Sequence, residues 1–231
     1  MEDFDNRDGT NPEALQADTA GRGLSRRKLL IGVGLVGIAG VAAAAESEPL
    51  KSLTAAEAAT VGAIVARLIP TDENGPGARE ARVDRYIDRL LSGPHNTYRG
   101  PNNPNSNLTD AYAAGLKAVD AYAQATHGGP FANLSPDKQD VILTAMQANS
   151  ATGFTPNSRM FFNLIRLHAV EGMFGDPYYG GNANFAGWDL LDFPGIKLVF
   201  TEEEQKLDVT VKKAHKGTTD YAFFGDNRRG M

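Results

Sequence analysis

Helix start and stop signals recur so densely along this chain that little of it is left for a sheet. Thr54-Ala55-Ala56-Glu57 is a capping box, and Val61, Ile64, Val65, Leu68 and Ile69 follow at helical spacing until Pro70 ends the run. This pattern predicts a helix over residues 54–69. After the turn chemistry of Thr71-Asp72-Glu73-Asn74-Gly75-Pro76-Gly77, Val83, Tyr86, Ile87, Leu90 and Leu91 mark one face of a second helix, closed by Ser92-Gly93-Pro94. Residues 93–107 are too rich in Pro, Gly and Asn to hold either period and read as a surface loop. Asn107 or Thr109 can cap a third helix that reaches Thr126, with Leu108, Tyr112, Leu116, Val119 and Tyr122 as its stripe. Ser135-Pro136 opens a fourth helix, carrying Val141, Ile142, Leu143 and Met146. Thr155-Pro156 repeats that signal before Met160 to Val170, which is apolar on nearly every side and is expected at the centre. Gly172–Gly195 reads as irregular, and Thr201-Glu202-Glu203-Glu204 as the cap of a final helix. The expectation is all-α: a compact irregular bundle of five to seven helices with a long aromatic, Gly-rich loop.

The N-terminal region has a different character. Residues 1–24 are polar and acidic, with Glu2, Asp3, Asp5, Asp8, Glu13 and Asp18, and cannot supply a packed core. Then Ser25-Arg26-Arg27-Lys28-Leu29-Leu30 leads into an apolar stretch, 29–45, that ends in Ala43-Ala44-Ala45 before Glu46. An arginine pair, an uncharged core and a small-residue end are the parts of a twin-arginine export signal, read by the twin-arginine translocase and cut after Ala45 by recognition of Ala43 and Ala45. The match departs from the usual pattern at Leu29, where phenylalanine is commonest, and at Ile31, where lysine often sits. The core falls short of the roughly 20 residues of a spanning helix. Cleavage is therefore favoured over an anchored scaffold that keeps the segment. Gly32-Val33-Gly34-Leu35-Val36-Gly37 has the form of a dinucleotide-binding motif but lacks the strand before it and the acidic residue beyond it. The expected division is a signal over 1–45, one helical domain over 46–215 and a polar tail with aromatic residues over 216–231, exported to the periplasm.

Composition closes off several chemistries. Without cysteine there is no disulfide framework, no haem attached through Cys-x-x-Cys-His, no cysteine-ligated cluster and no cysteine nucleophile. A net charge of −5 argues against nucleic acid as a partner. Neither a Gly-x-Ser-x-Gly elbow nor a phosphate-binding loop occurs. His168 and Glu171 stand three apart on the fifth helix, a spacing that can serve a metal, though a buried, hydrogen-bonded histidine is the commoner outcome. An independent metal-dependent periplasmic enzyme built around that pair is the alternative to an accessory role. Asp72 and Glu73 fit turn closure better than acid/base work. Asp176, Asp189 and Asp192 flank the loop but have no histidine or nucleophile beside them in the sequence.

The run Phe174-Gly175-Asp176-Pro177-Tyr178-Tyr179-Gly180-Gly181-Asn182-Ala183-Asn184-Phe185-Ala186-Gly187-Trp188-Asp189 holds the one tryptophan of the chain. Flat, stiff side chains beside glycines suit an interaction loop, and suit equally an Ω-like loop packed on its own aromatics.

Arg67 to Ala81, Tyr86-Ile87-Asp88-Arg89, Phe161 to Arg166 and Glu171 to Asn182 together resemble the gluconate 2-dehydrogenase subunit 3 family, over most of residues 50–195. The resemblance implies the small, non-catalytic subunit of an exported, membrane-bound sugar, sugar-acid or polyol dehydrogenase. In such complexes FAD belongs to a large subunit without a signal of its own, and haem c to a multihaem cytochrome c subunit. The small subunit carries the export signal and assists maturation of the flavoprotein. It implies no cofactor and no catalytic residue in this chain. Candidate partner contacts are Asp72 and Pro76 in the first segment, and Asp176, Pro177, Tyr178, Tyr179, Gly180, Gly181, Asn182, Phe185 and Trp188 in the loop.

Overall fold

The computed structural model describes residues 48–93 and 107–221. The signal residues Ser25, Arg26, Arg27, Leu29 and Leu30, the cleavage residues Ala43 and Ala45, most of the expected loop at 93–107, and residues 222–231 lie outside the described residues.

Helix α1 (Ala55–Leu68) opens on the expected capping box: Thr54 Oγ1 accepts from Glu57 N at 3.3 Å, and Glu57 Oε2 accepts from Thr54 N at 2.9 Å. Helix α2 is Val83–Ser92 and α3 is Leu108–His127. Asn107, rather than Thr109, caps α3, with Oδ1 2.7 Å from Asp110 N, while Thr109 Oγ1 donates to Leu91 O. Pro136 takes the first position of α4 (Pro136–Gln147), with no side-chain bond from Ser135. Helix α5 (Ser158–Phe174) starts later than Thr155-Pro156 suggests. Its cap is Asn157, whose Oδ1 accepts from Met160 N at 3.0 Å. Thr155 and Pro156 lie ahead of the helix, and the next capping side chain takes over.

Two further expectations are corrected. The stretch 172–195 is largely ordered into short pieces: α5 runs on to Phe174, two 3-10 turns follow at Pro177–Tyr179 and Ala183–Phe185, and α6 spans Ala186–Leu190. Beyond it, Thr201 and Glu204 do exchange capping bonds, yet only a 3-10 turn, Glu203–Gln205, results. Leu207 is wholly exposed there, so no apolar face rewards a longer helix, and a short helix without packing is marginal in water. Among the described residues there is no strand.

Helix α5 is central, touching α1, α2, α3, α4 and α6. Its Ile165, Ala169 and Met173 meet Val61 and Ile64 of α1, Ile87 of α2, Tyr112 and Leu116 of α3, and Ile142 and Met146 of α4 in one buried cluster. Its outer side stays open, with Leu167 and Val170 exposed. A forked pair of hydrogen bonds, Arg67 Nε to Asp140 Oδ1 at 2.7 Å and Arg67 Nη2 to Asp140 Oδ2 at 2.6 Å, joins α1 to α4, and the guanidinium holds the Asp140 carboxyl below its usual range.

Asp88 on α2 fixes where the chain enters the bundle. Its carboxylate, buried in the structure, accepts from the backbone N–H of Lys51 at 2.8 Å and of Ser52 and Leu53 at 2.9 Å. Removing it strands those donors, so Asp88→Ala is expected to cost about 3 kcal/mol, against about 0.5 kcal/mol or less for the neighbouring, half-exposed Asp84→Ala. Urea midpoints for the two variants check this, and equal midpoints would remove any special role for Asp88.

Candidate functional site

The aromatic loop is built on the end of α5. Asp176 begins it, its Oδ1 accepting from Tyr178 N at 2.8 Å and so capping the turn Pro177–Tyr179. Asn182 is the hub, fully buried: its N–H donates to Gly172 O at 2.7 Å, its Nδ2 to Gly175 O at 2.7 Å, and its Oδ1 accepts from Gly187 N at 2.8 Å. One side chain thereby closes the C-terminal end of α5 and the first turn of α6. Asn182, Asn184 and Phe185 all lie in the left-handed region, with φ of 46°, 56° and 61°. The asparagines suit it, whereas Phe185 pays a steric cost there. Close packing sets the glycines: a Cβ on Gly181 would lie 2.1 Å from Gly172 O, and one on Gly187 1.9 Å from Met173 O.

The aromatic side chains divide into two groups. Trp188 is 5% exposed, donates from Nε1 to Phe174 O at 2.8 Å, and packs its ring on Phe185 and Phe193 at centroid distances of 5.5 and 4.8 Å. Gly181 and Asn182 are buried with it. Tyr179 is 52% exposed and meets Tyr178 edge to face at 5.1 Å. Asp176, Pro177, Tyr178, Gly180 and Phe185 are half-buried. Surface open to a partner is thus offered chiefly by Tyr179 and its neighbours. Directly after the loop, Leu190, Leu191, Phe193, Leu198, Val199 and Phe200 stand in solvent, an apolar run that the sequence pattern did not single out.

Residues 213–221 fold back across this loop as a strap. Asp176 Oδ2 accepts from Thr218 N and Oγ1, both at 2.9 Å, and Ile196 N donates to Lys216 O at 2.8 Å. The His215 ring lies flat on Phe185 at 5.1 Å, and its Nε2 is 2.8 Å from Asp189 Oδ1. That hydrogen bond, with Lys213, keeps the Asp189 carboxyl below its usual range. Asp189 and His215, distant in sequence, are therefore paired by a hydrogen bond which, with the Lys213 ammonium, pins the strap at an exposed position.

The other family-like segment adjoins the loop. Asp72 is exposed and closes its own turn, with Oδ1 2.8 Å from Asn74 N and a reciprocal backbone pair to Gly75 at 3.2 Å. Half-buried Pro76 follows. Ala183 N donates to Ala81 O at 3.1 Å, and a Cβ on Gly75 would come within 2.9 Å of Leu190 Cδ2.

A family model for gluconate 2-dehydrogenase subunit 3 matches residues 55–195. The chain belongs to that family. The match takes in α1 to α6, the turn at Asp72 and the whole aromatic loop, and stops before the exposed run at 198–200 and the strap. Gluconate 2-dehydrogenase subunit 3 is an accessory subunit of a multi-subunit dehydrogenase complex. No curated protein and no solved structure matches the chain.

In this subunit 3 chain, His168 and Glu171 are each engaged by a tyrosine. The Tyr112 hydroxyl, fully buried on α3, lies 2.8 Å from His168 Nδ1, and the Tyr86 hydroxyl donates to Glu171 Oε2 at 2.9 Å. Burial pushes the Tyr112 hydroxyl well above its usual range and the His168 imidazole below its own, although Glu171 acts in the opposite sense on the histidine. A neutral imidazole accepting from a protonated tyrosine is the state these shifts favour. Among the described residues no group of three or more His, Asp or Glu side chains is placed to hold a metal ion. No described helix is long and apolar enough to cross a membrane.

Proposed function

We propose that this chain is the non-catalytic small subunit of a periplasmic, membrane-associated, flavin-dependent dehydrogenase of a sugar, sugar acid or polyol. It carries the export signal, escorts the large FAD subunit through the twin-arginine translocase, and aids its maturation and stability. The observation that carries this reading is family membership over residues 55–195 on a chain that also holds Arg26-Arg27 before an apolar core. FAD belongs to the large subunit and haem c to a cytochrome subunit that takes the electrons, so this chain needs no cofactor of its own. Its polypeptide offers surfaces: the exposed Tyr179 and the apolar run at 190–200 that follows the loop in the chain.

Deletion of this chain with the large subunit retained is the direct test. Expected is a large subunit that remains in the cytoplasm, holds little FAD and aggregates. Normal FAD content and normal export of the large subunit without this chain would overturn the escort role.

A further inference from the structure

A cavity of about 520 Å³ opens between α1, the first turn of α2 with the residues just before it, and the 3-10 turn Phe131–Asn133. Its volume lies within the range of roughly 300–1,000 Å³ typical of small-molecule sites. Small apolar residues of α1 line one side around Gly62, and Arg79, Arg82 and Arg85 line another, with Asp84 and Asn133 beside them. Arg85 is already engaged: its Nη1 donates to Glu48 O at 2.8 Å, and its Nε lies 3.6 Å from Asp84 Oδ2, so the one carboxylate of the lining is offset. The side chains of Arg79 and Arg82 make no hydrogen bond or close ion pair among the described residues, and feel the carboxylates of Glu80 and Glu48 only through space.

Two positions in this lining give up local stability. Arg82 sits at φ 55°, ψ 43°, a left-handed conformation that glycine or asparagine adopts with less strain. What arginine adds there is its guanidinium. Gly62 lies inside α1, where alanine would be better by about 1 kcal/mol. A Cβ on it would meet nothing within 4 Å, so packing does not require glycine, and what its absent side chain provides is room.

We propose that this cavity binds a small organic anion. Its carboxylate or phosphate group is clamped by the guanidinium forks of Arg79 and Arg82, and its body lies over Gly62, with Asn133 supplying a polar contact. The proposal stands apart from the escort role and does not need the other subunits.

Calorimetric titration of the purified full chain with glucuronate, glucose 6-phosphate and glucose tests it. These probes share a sugar body and differ in carrying a carboxylate, a phosphate or no charge. One or both anionic sugars are expected to bind and glucose is not, and the tighter of the two names the anion class. Arg82→Asn, which keeps the left-handed backbone accessible, and Gly62→Leu, which fills the cavity but keeps every charge, are each expected to weaken binding at least tenfold, with thermal melts confirming that both fold. The site is overturned if none of the probes binds, if glucose binds as well as the anions, or if either folded variant keeps wild-type affinity.

Discussion

If this chain carries the export signal as proposed, replacing Arg26 and Arg27 together by lysine is expected to empty the periplasm of the dehydrogenase, lowering exported activity by roughly tenfold or more. The double substitution keeps both positive charges and the apolar core, so any effect comes from geometry. A guanidinium presents a rigid planar fork of donors, whereas an ammonium is a compact, strongly hydrated point charge. A receptor that reads the fork rejects lysine, and one that reads only charge accepts it. On the proposed escort role the variant, whose helical domain is unchanged, still meets the large subunit. Folded, FAD-loaded enzyme is therefore expected in the cytoplasmic fraction, active in a lysate and silent in whole cells given an impermeant acceptor. Loss of FAD from the cytoplasmic enzyme would instead tie maturation to export. Wild-type periplasmic activity from the lysine variant would sink the assignment of this pair as the complex's address.

Much of the bundle is legible in the chain, because caps and apolar stripes are local. The Thr54–Glu57 box and the stripe from Val61 to Ile69 lie within one segment, and α1 forms there. Thr201 and Glu204 show where local reading fails: the same reciprocal bonds form, but Leu207 has nothing to pack against and the helix stops after one turn. Asp88 gives no sequence signal, since an aspartate on an amphipathic helix reads as solvated, and the three N–H groups it serves lie more than thirty positions earlier. Asn182 is similar. Its place in a Gly-Gly-Asn-Ala-Asn run speaks for a turn, and only the approach of α5 makes it the group that joins two helices. The loop's composition marks it as unusual without deciding what its aromatics face. Their exposure decides that, residue by residue.

That division makes Trp188→Ala and Tyr179→Ala a paired test with opposite readouts. Trp188 fills space between Phe185 and Phe193 and satisfies Phe174 O, so truncation leaves a cavity and an unpaired carbonyl at the end of α5. The expected loss is about 3–5 kcal/mol of folding stability, a large share of the ~5–15 kcal/mol of an ordinary domain. Tyr179, half in solvent with an edge contact to Tyr178, is expected to cost under about 1 kcal/mol of stability. If the loop docks on the large subunit, Tyr179→Ala weakens the complex by about 2 kcal/mol or more, as an aromatic anchor does. Being the one tryptophan, Trp188 reports the outcome itself: its emission should be that of a buried indole in wild type and unchanged in Tyr179→Ala. Urea denaturation followed by circular dichroism gives the stabilities, and titration against the large subunit gives the affinities. Unchanged affinity in Tyr179→Ala would assign docking elsewhere, to the exposed apolar run from Leu190 to Phe200, and leave the loop as the brace that holds that run against the end of α5.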